Sequence, residues 1–322
     1  MTNVVKVTRK TPVLQAPAFG CLKGVPAVNI TRGCLHACVY CYARGFSEAP
    51  PKGEIHLYYN LPEVLKRELD CKRKWPRWVA FSTASDPFQA LEEVLAVTYR
   101  VMELLLRRGI GVSFLTKGEI PPDFVALFRR YPDQVTARIG LTTMDNARRR
   151  LLEPQAPPPG RRLAAIRNLR EAGIPVSVRL DPIIAGVSDG MEGLENLLVR
   201  LRDLGVKNLS LSYLVLRPGV MKQIAAELPP ALSRRLLAPY LNQPWQRIIT
   251  SARTRLLPRE WRQRHSQEVK HLAAGLGLQV RLCGCKNPDL EWESCEPWDG
   301  RIRSGPEQMA PLFLMAEKKE SA

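Results

Sequence analysis

Three cysteines near the amino end of the chain have a spacing that suits metal chemistry. Cys34, Cys38 and Cys41 stand at C-x3-C-x2-C spacing, directly after a short apolar run at 27–31. Thiolates are soft ligands that suit iron–sulfur clusters or zinc. Three of them on one tight loop leave a fourth metal position open, which is typical of catalytic sites. The alternative is a zinc knuckle completed by His36 or a distant thiol, although zinc sites normally show two paired ligand clusters.

A second group of thiols lies near the carboxyl end. Cys283 and Cys285 flank Gly284, which permits a tight turn, and Cys295 follows further on. Two thiols at C-x-C spacing can reach one metal, and the third could return to it on a loop. Three interpretations stay open, namely a second iron–sulfur cluster, a structural zinc with a fourth ligand elsewhere, or reduced thiols without metal.

The residues around the first motif resemble a known signature. Asn29–Cys34 reads N-I-T-R-G-C, Cys41–Arg44 reads C-Y-A-R, and the aromatic Tyr40 precedes the last cysteine. This pattern resembles that of radical S-adenosylmethionine (radical SAM) enzymes. Its longer form resembles the branch related to spore photoproduct lyase, whose members are often labelled DNA repair photolyase-like.

The resemblance implies two cofactors and a reaction type. Three thiolates would hold a four-iron four-sulfur (4Fe-4S) cluster, and S-adenosylmethionine would bind its open iron through amino and carboxylate groups. One electron would then cleave the sulfonium to give methionine and a 5'-deoxyadenosyl radical, which abstracts hydrogen from a substrate. The resemblance also implies an electron donor such as flavodoxin or ferredoxin.

Strands and helices alternate through the first two thirds of the chain. Buried strands are predicted at 27–31, 78–83, 111–117, 136–143, 175–184 and 208–217. Helices are predicted at 61–70, 90–106, 122–130, 161–172 and 191–204. Such alternation predicts an α/β fold with a parallel sheet and right-handed connections. Six units do not close an eight-stranded barrel, so we predict an open partial (β/α)6 TIM-type barrel with its site at the carboxyl ends of the strands.

The remaining segments flank this barrel. Residues 1–26 are predicted to be an N-terminal extension, 27–217 the barrel, and 218–322 a C-terminal extension with the possible second metal site. The C-terminal extension is predicted to be mostly helical, with helical patterns at 223–240 and 258–276.

Polar residues follow successive predicted strands, where a barrel site would lie. Ser85 follows the second strand and could receive the ammonium or ribose of a cofactor. The alternative is a helix N-cap by Ser85 or Asp86. Lys117 ends the third strand, where its ammonium can hold a carboxylate as a point charge; the alternative is a surface lysine.

The family resemblance, which covers roughly residues 25–217, assigns roles to five positions. By this resemblance Tyr40 lies against adenine, Lys117 contacts S-adenosylmethionine, and Ser85 belongs to the same cofactor site. Thr142, at the end of the fourth strand, would touch the ribose. Asp181, at the end of the fifth strand, would lie near the adenine.

One position departs from the pattern of spore photoproduct lyase itself. That enzyme has a cysteine just ahead of its Ser-Asp pair, and this thiol returns a hydrogen atom to the product radical. The present chain has Thr83 there. A hydroxyl O–H bond is too strong to donate a hydrogen atom readily. Either another cysteine does so, or the reaction is not thymine-dimer reversal, and we favour the second interpretation.

The charge of the chain indicates a polyanionic partner. The 322 residues include 48 Lys and Arg against 31 Asp and Glu, a net charge of +17. Nucleic acid is the commonest partner of such a protein, although a basic proteome or a thermophilic surface would also explain the excess. The basic and aromatic residues of the C-terminal region are the predicted polyanion contact, with a charged helix face as the alternative. They are Trp245, Arg247, Arg253, Arg255, Arg259, Trp261, Arg262 and Arg264. Residues 72–78 are interpreted instead as a solvated turn with Trp78 in the core.

The eight cysteines also bear on compartment. The chain shows no signal-peptide pattern and no apolar run long enough to cross a membrane, so we expect a reducing cytoplasm and no membrane partner.

Three functions follow from these observations. The first is a radical SAM enzyme that modifies or repairs a nucleic acid, DNA or RNA, or a nucleotide. The second is radical modification of a small molecule or peptide with help from a second iron–sulfur cluster. The third is a zinc-stabilised nucleic-acid-binding module without catalysis.

Overall fold

The computed structural model describes residues 2–17, 22–248 and 252–291. In these residues the strands are β1 (Asn3–Val7), β2 (Ala27–Val28), β3 (Thr31–Arg32), β4 (Glu54–Tyr58), β5 (Trp78–Phe81), β6 (Gly111–Thr116), β7 (Val135–Gly140), β8 (Val176–Ile183), β9 (Asn208–Tyr213), β10 (Gln246–Arg247), β11 (Arg253–Thr254) and β12 (Gln279–Leu282). The α-helices are α1 (Leu61–Cys71), α2 (Glu92–Arg107), α3 (Pro122–Arg129), α4 (Asn146–Leu152), α5 (Pro159–Glu171), α6 (Met191–Asp203), α7 (Pro218–Glu227), α8 (Pro230–Leu237) and α9 (Arg259–Gly275).

The main sheet is open and parallel, in the order β12-β9-β8-β7-β6-β5-β2. Its central strands read as continuous apolar runs because helices cover a parallel sheet, and every residue of β5 and β7 is buried. Helix α2 shows the complementary pattern, since Val94, Val97, Val101 and Leu105 form one buried stripe at helical spacing. The predicted α/β partial barrel, with a helix-containing C-terminal extension, is confirmed.

The first predicted strand is divided between two sheets. Ala27–Val28 joins the main sheet beside β5, whereas Thr31–Arg32 pairs antiparallel with β4. Between them, the Oδ1 atom of Asn29 accepts hydrogen bonds from the backbone of Ala84 (2.8 Å) and Ser85 (3.2 Å). Such side-chain bonds to the backbone compete with a strand ladder, so the run is interrupted at this point.

A small second sheet holds the amino-terminal segment. Its order is β1-β4-β3, and Asn3–Val7 runs parallel to Glu54–Tyr58. The sequence did not predict β4, which lies in the connection after the first three cysteines. The N-terminal extension is therefore joined by backbone hydrogen bonds to the segment that follows the cysteine loop.

The C-terminal region differs from its predicted outline in two respects. The helical pattern at 223–240 forms two helices, α7 and α8, because Pro229 and Pro230 lack the backbone donors of a continuous helix. In addition, β12 pairs with β9 and adds a seventh strand to the main sheet. The residues after β12 therefore lie at the carboxyl ends of the parallel strands, where the site is predicted.

The basic segment before β5 has the predicted arrangement. Trp78 is buried in the core, whereas Trp75 is 45% exposed and donates its Nε1 hydrogen to the carbonyl of Leu69. This segment precedes its strand, so it lies at the edge of the sheet opposite the site. None of the helices in the described parts of the chain combines the length and apolarity that a membrane crossing requires.

Candidate functional site

The three amino-terminal cysteines lie on a loop of consecutive turns after β3. Gly33 begins it with φ +79°, and a Cβ atom there would stand 2.7 Å from Pro50 and 3.0 Å from the carbonyl of Glu54. Glycine is required because any side chain would meet that backbone. The amide of Ala37 donates to the carbonyl of Cys34 (3.3 Å), and that of Cys41 donates to Cys38 (3.1 Å). In each turn the Cα atoms of the first and the last residue lie within about 7 Å of each other.

Buried polar residues hold this loop against the barrel. The amide of Leu35 donates to Oε1 of Gln89 (2.6 Å), whose Nε2 donates to the Thr31 hydroxyl (2.9 Å). His36 is buried with Nδ1 3.4 Å from a carboxylate oxygen of Asp86. Burial lowers the pKa of His36, although the nearby Asp86 acts in the opposite direction. His36 is therefore engaged by Asp86, which argues against its completing a zinc knuckle.

The electrostatics of the thiols suit a bound metal. Burial, then Asp86 and Cys38, raises the pKa of Cys34 well above its usual value. Burial and the charge of Glu153 raise the pKa of Cys38 to about 12. A metal cation is the partner that stabilises thiolates in such surroundings. Within residues 2–17, 22–248 and 252–291, no three His, Cys, Asp or Glu side chains are already gathered into a metal-binding group. The three soft donors on one loop nevertheless fit the ligand set of an iron–sulfur cluster.

Asp86 organises the strand ends beside this loop. Its carboxylate accepts hydrogen bonds from the Thr116 hydroxyl (2.6 Å), the Lys117 amide (2.8 Å) and the Phe88 amide (2.9 Å). The alternative of a helix cap at Ser85 or Asp86 is wrong, because α2 begins later, after Leu91. Asp86 instead orients the end of β6, which carries Lys117.

A buried polar chain lies behind the loop. The Tyr40 hydroxyl donates to Oε1 of Glu153, and Oε2 of Glu153 pairs with Arg162. Arg162 also donates to the carbonyls of Gly140 (3.0 Å) and Pro157 (3.0 Å). Burial raises the pKa of Tyr40, and Glu153 adds to the effect, so the phenol keeps its proton. Sequence reasoning noted Glu153 and Arg162 only as part of a resembling block and missed that they fix Tyr40.

Lys117 presents a cation to this cluster. Its ammonium lies 5.6 Å from the centre of the Tyr40 ring, within reach of a cation–π contact. Burial acts to lower the pKa of Lys117, but the charges of Glu153 and Cys38 outweigh it, and the pKa is raised. The group is half-buried and charged at neutral pH. It can therefore receive an anion such as a carboxylate.

Asp181 is held by two cations. Arg179 Nη2 lies 2.7 Å from one carboxylate oxygen, and Lys286 Nζ lies 2.6 Å from the other. Burial acts to raise the pKa of Asp181, but Lys286 and Arg179 outweigh it and hold the pKa well below its usual range. Sequence reasoning missed Lys286. The only sequence feature that could have indicated Lys286 is its position directly after the C-x-C turn, which itself follows an apolar run.

The predicted hydroxyl ligands lie at neighbouring strand ends. Ser82 and Ser85 follow β5, and each has a buried hydroxyl oxygen that lacks a hydrogen-bond partner among the described residues. Such atoms are costly unless a ligand or water satisfies them. Thr142 is buried just beyond β7. The five residues predicted to bind the cofactor therefore lie on the loop after β3 or at the carboxyl ends of strands in the main sheet. They are Tyr40, Ser85, Lys117, Thr142 and Asp181.

The second group of thiols is only partly described. The amide of Cys283 donates to Leu211 (2.9 Å), which extends the pairing of β12 with β9, and Cys285 follows at the same edge. Cys283 is buried and Cys285 half-buried. Cys295 lies outside the described residues.

The basic C-terminal stretch divides into two parts. Arg262 is buried and pairs with Asp289 (2.6 Å), and Trp261 stacks on His265 with ring centres 4.8 Å apart. The predicted polyanion contact is therefore wrong for Arg262, whose buried side chain packs α9 against the segment after β12. Trp261 is half-buried and meets Tyr213 of β9 edge to face at 5.3 Å. In the β10–β11 hairpin Arg247 and Arg253 are exposed, whereas Thr254 is buried.

Several known proteins are similar to this chain. The model of the radical SAM superfamily matches residues 28–201. An uncharacterized protein of Acidianus two-tailed virus is 28% identical over 194 residues, which are 56% of this chain and 64% of the relative. A protein of Pseudomonas phage M6 named radical SAM Nalpha-GlyT isomerase is 27% identical over 155 residues, 48% of this chain and 32% of the relative. The chain thus spans less than two thirds of the length of these curated relatives.

A solved structure shares the fold. A spore photoproduct lyase variant with bound AdoMet and dinucleoside spore photoproduct superposes with a TM-score of 0.63 at 18% identity, covering 86% of this chain and 81% of that one. The match over 28–201 includes all three amino-terminal cysteines and extends over more than half of the 322 residues. The chain belongs to the radical SAM superfamily of enzymes.

Proposed function

We propose that Cys34, Cys38 and Cys41 hold a 4Fe-4S cluster that leaves one iron to S-adenosylmethionine. When bound, the cluster supplies the electron that cleaves the sulfonium and yields a 5'-deoxyadenosyl radical, which takes hydrogen from the substrate. The observation that carries this proposal is the loop of three half-buried thiols beside the cation of Lys117 and the buried hydroxyl of Ser85, which has no hydrogen-bond partner among the described residues. Family membership supports it, and it disfavours a zinc-stabilised module without catalysis.

The surrounding residues would bind and orient the cofactor. Lys117 would hold the methionine carboxylate, and the Tyr40 ring, fixed by Glu153, would lie against the adenine. Ser85 and Thr142 offer hydroxyls for the ammonium or ribose. Asp181, kept ionised by Lys286 and Arg179, is an acceptor for the adenosine side of the ligand. Tyr40 and Asp181 are already oriented by hydrogen bonds to their neighbours, so little rearrangement of these two side chains would accompany binding.

The substrate we propose is a nucleic acid, DNA or RNA, or a nucleotide. The net charge of +17 supports a polyanionic substrate, and the fold is shared with a protein solved with a dinucleoside. Thr83 is a threonine and offers no thiol for hydrogen return, and its hydroxyl accepts a hydrogen bond from Asn29 (2.6 Å). The proposed reaction is therefore a modification or repair other than that of spore photoproduct lyase, with a flavodoxin- or ferredoxin-like electron donor.

Removal of one thiol tests the cluster. After anaerobic reconstitution, the Cys38→Ala variant should lose the absorbance at about 400 nm and produce no 5'-deoxyadenosine with dithionite, because the cluster loses a ligand. Cys71, exposed at the end of α1, provides the matched control, and Cys71→Ala should retain both signals. Full 5'-deoxyadenosine production by Cys38→Ala would contradict the assignment.

Iron counting tests the second thiol group. The alternative function would use a second iron–sulfur cluster held by Cys283 and Cys285, with Cys295, and the C-x-C turn lies at the same end of the main sheet as the site. The reconstituted chain should then contain about eight irons, and Cys283→Ala about four. One zinc and about four irons in the wild type would favour a structural zinc, and about four irons without zinc would disprove a second site. A second cluster would favour the alternative function, radical modification of a small molecule or peptide.

A further inference from the structure

A band of aromatic and arginine side chains runs from the C-terminal hairpin to the cysteine loop. The Arg255 guanidinium lies 4.6 Å from the ring centre of Trp245, and that of Arg217 lies 4.8 Å from the ring centre of Tyr42. Tyr42 meets Phe46 edge to face at 5.6 Å. We call these five residues, together with Arg247 and Arg253 of the hairpin, the aromatic–arginine band.

Backbone pairing joins the two halves of the band. Leu216 and Arg255 exchange two hydrogen bonds, of 3.0 Å and 2.8 Å, so that Arg217 follows directly on the hairpin strand. At the other end Tyr42 is the residue after Cys41, and its hydroxyl donates to the Thr83 carbonyl (2.5 Å). The band therefore ends at the proposed cluster loop.

The band is partly accessible, with Trp245 half-buried, and it is positively charged. Tyr42 is 36% exposed and Phe46 44% exposed. Within the hairpin, Arg247 and Arg253 stand directly opposite each other and are exposed. Like charges at opposed positions destabilise a strand pair.

These hairpin arginines differ from other surface arginines. Neither Arg247 nor Arg253 forms an ion pair with a carboxylate in the described part of the chain, whereas Arg100 and Arg108 pair with Glu63 and Asp70. Two cations without a carboxylate partner in the described part of the chain, one of them 5.7 Å from the ring centre of Trp245, are complementary to a chain that carries both phosphates and bases.

We infer that the aromatic–arginine band binds single-stranded nucleic acid and leads it to the cysteine loop. Bases stack on Trp245 and Phe46, and phosphates contact Arg247 and Arg253. A single strand is required because the bases of a duplex do not offer their faces to such rings. The inference rests on the proposed nucleic-acid substrate and names its form.

Anisotropy of a fluorescein-labelled oligothymidylate, with the anaerobically reconstituted full chain, tests the inference. Trp245→Ala and Phe46→Ala should each weaken binding about tenfold or more, because one stacked base is lost. Trp245→Phe, which keeps a stacking ring, should restore most of the affinity. Replacing Arg247 or Arg253 with Gln should lower the slope of log affinity against log salt by about 0.7 for each arginine.

The chain offers a matched control on its opposite edge. Trp75 is 45% exposed and has the Arg108 guanidinium 5.2 Å from its ring, so Trp75→Ala removes an equivalent pair and should leave oligothymidylate affinity unchanged. Equal losses in Trp75→Ala and Trp245→Ala, tighter binding of duplex than of single strand, or no binding at low salt would each overturn the inference. Binding needs no cleavage of S-adenosylmethionine, so failure here is separable from failure of the radical chemistry.

Discussion

Replacing Arg162 with Gln will lower the free energy of unfolding by about 3–5 kcal/mol, because Glu153 is then left buried without its main cation. Both side chains of this pair are only 1% exposed. Arg162 also donates to the carbonyl of Gly140, which lies at the end of β7. Urea unfolding, followed as a shift of the midpoint at constant slope, measures the loss.

The neighbouring arginine is the control for this variant. Arg161 pairs with Glu119 at 3.3 Å, but the two side chains are 66% and 53% exposed. Solvent screens such a pair, so Arg161→Gln should cost less than about 1 kcal/mol. Similar losses in the two variants would show that the Arg162–Glu153 pair is not the stabilising contact that its burial indicates.

The Arg162–Glu153 pair predicts that the stability of the protein depends on pH. Burial acts to raise the pKa of Glu153, but Arg162 and Lys117 outweigh it, so the folded-state pKa is lowered. A carboxyl with a lowered folded-state pKa stabilises the protein above its unfolded pKa, and this contribution is lost as pH falls through the folded value. The difference in the free energy of unfolding between wild type and Arg162→Gln should therefore become smaller below about pH 4.

Replacing Lys117 with Met should weaken binding of S-adenosylmethionine about 10- to 100-fold, because a charge-assisted contact to the carboxylate contributes about 1.5–3 kcal/mol. The Lys117 ammonium lies over Tyr40, on the cysteine loop, and its raised pKa keeps it charged. Equilibrium dialysis of S-adenosylmethionine against the anaerobically reconstituted chain measures the affinity. An iron count on the same samples shows whether the cluster is retained.

Two further lysine variants define the origin of this effect. Lys117→Arg keeps the charge and should recover part of the affinity. Lys66→Met removes an exposed lysine that pairs with Asp70 on α1, away from the site, and should bind as the wild type does. Wild-type affinity in Lys117→Met with full iron content would refute the role proposed for this lysine.

The sequence alone determined the features that depend on short stretches of chain. The C-x3-C-x2-C spacing is local, and it was enough to indicate the superfamily. The apolar runs between helical patterns predicted the parallel sheet, since strands covered on both faces cannot alternate with polar residues. The strand-end position selected Lys117, and its ammonium lies 5.6 Å from the ring centre of Tyr40 on the cysteine loop.

Tertiary structure decided the contacts between distant segments. Lys286 meets Asp181 across a separation of 105 residues, and Tyr40 meets Glu153 across 113. The addition of β12 to the sheet brings Lys286 to the edge where Asp181 lies. No local pattern encodes such pairs, because the geometry of neighbouring strands, and not spacing along the chain, determines which ends meet.

The cysteine spacing therefore indicated the superfamily to which the chain belongs, and the fold decided which side chains surround the cysteine loop. The reason is physical. Ligand type and spacing on one loop are properties of a few consecutive residues, whereas the charge state of Lys117, Glu153 and Asp181 depends on burial and on cations supplied by remote parts of the chain.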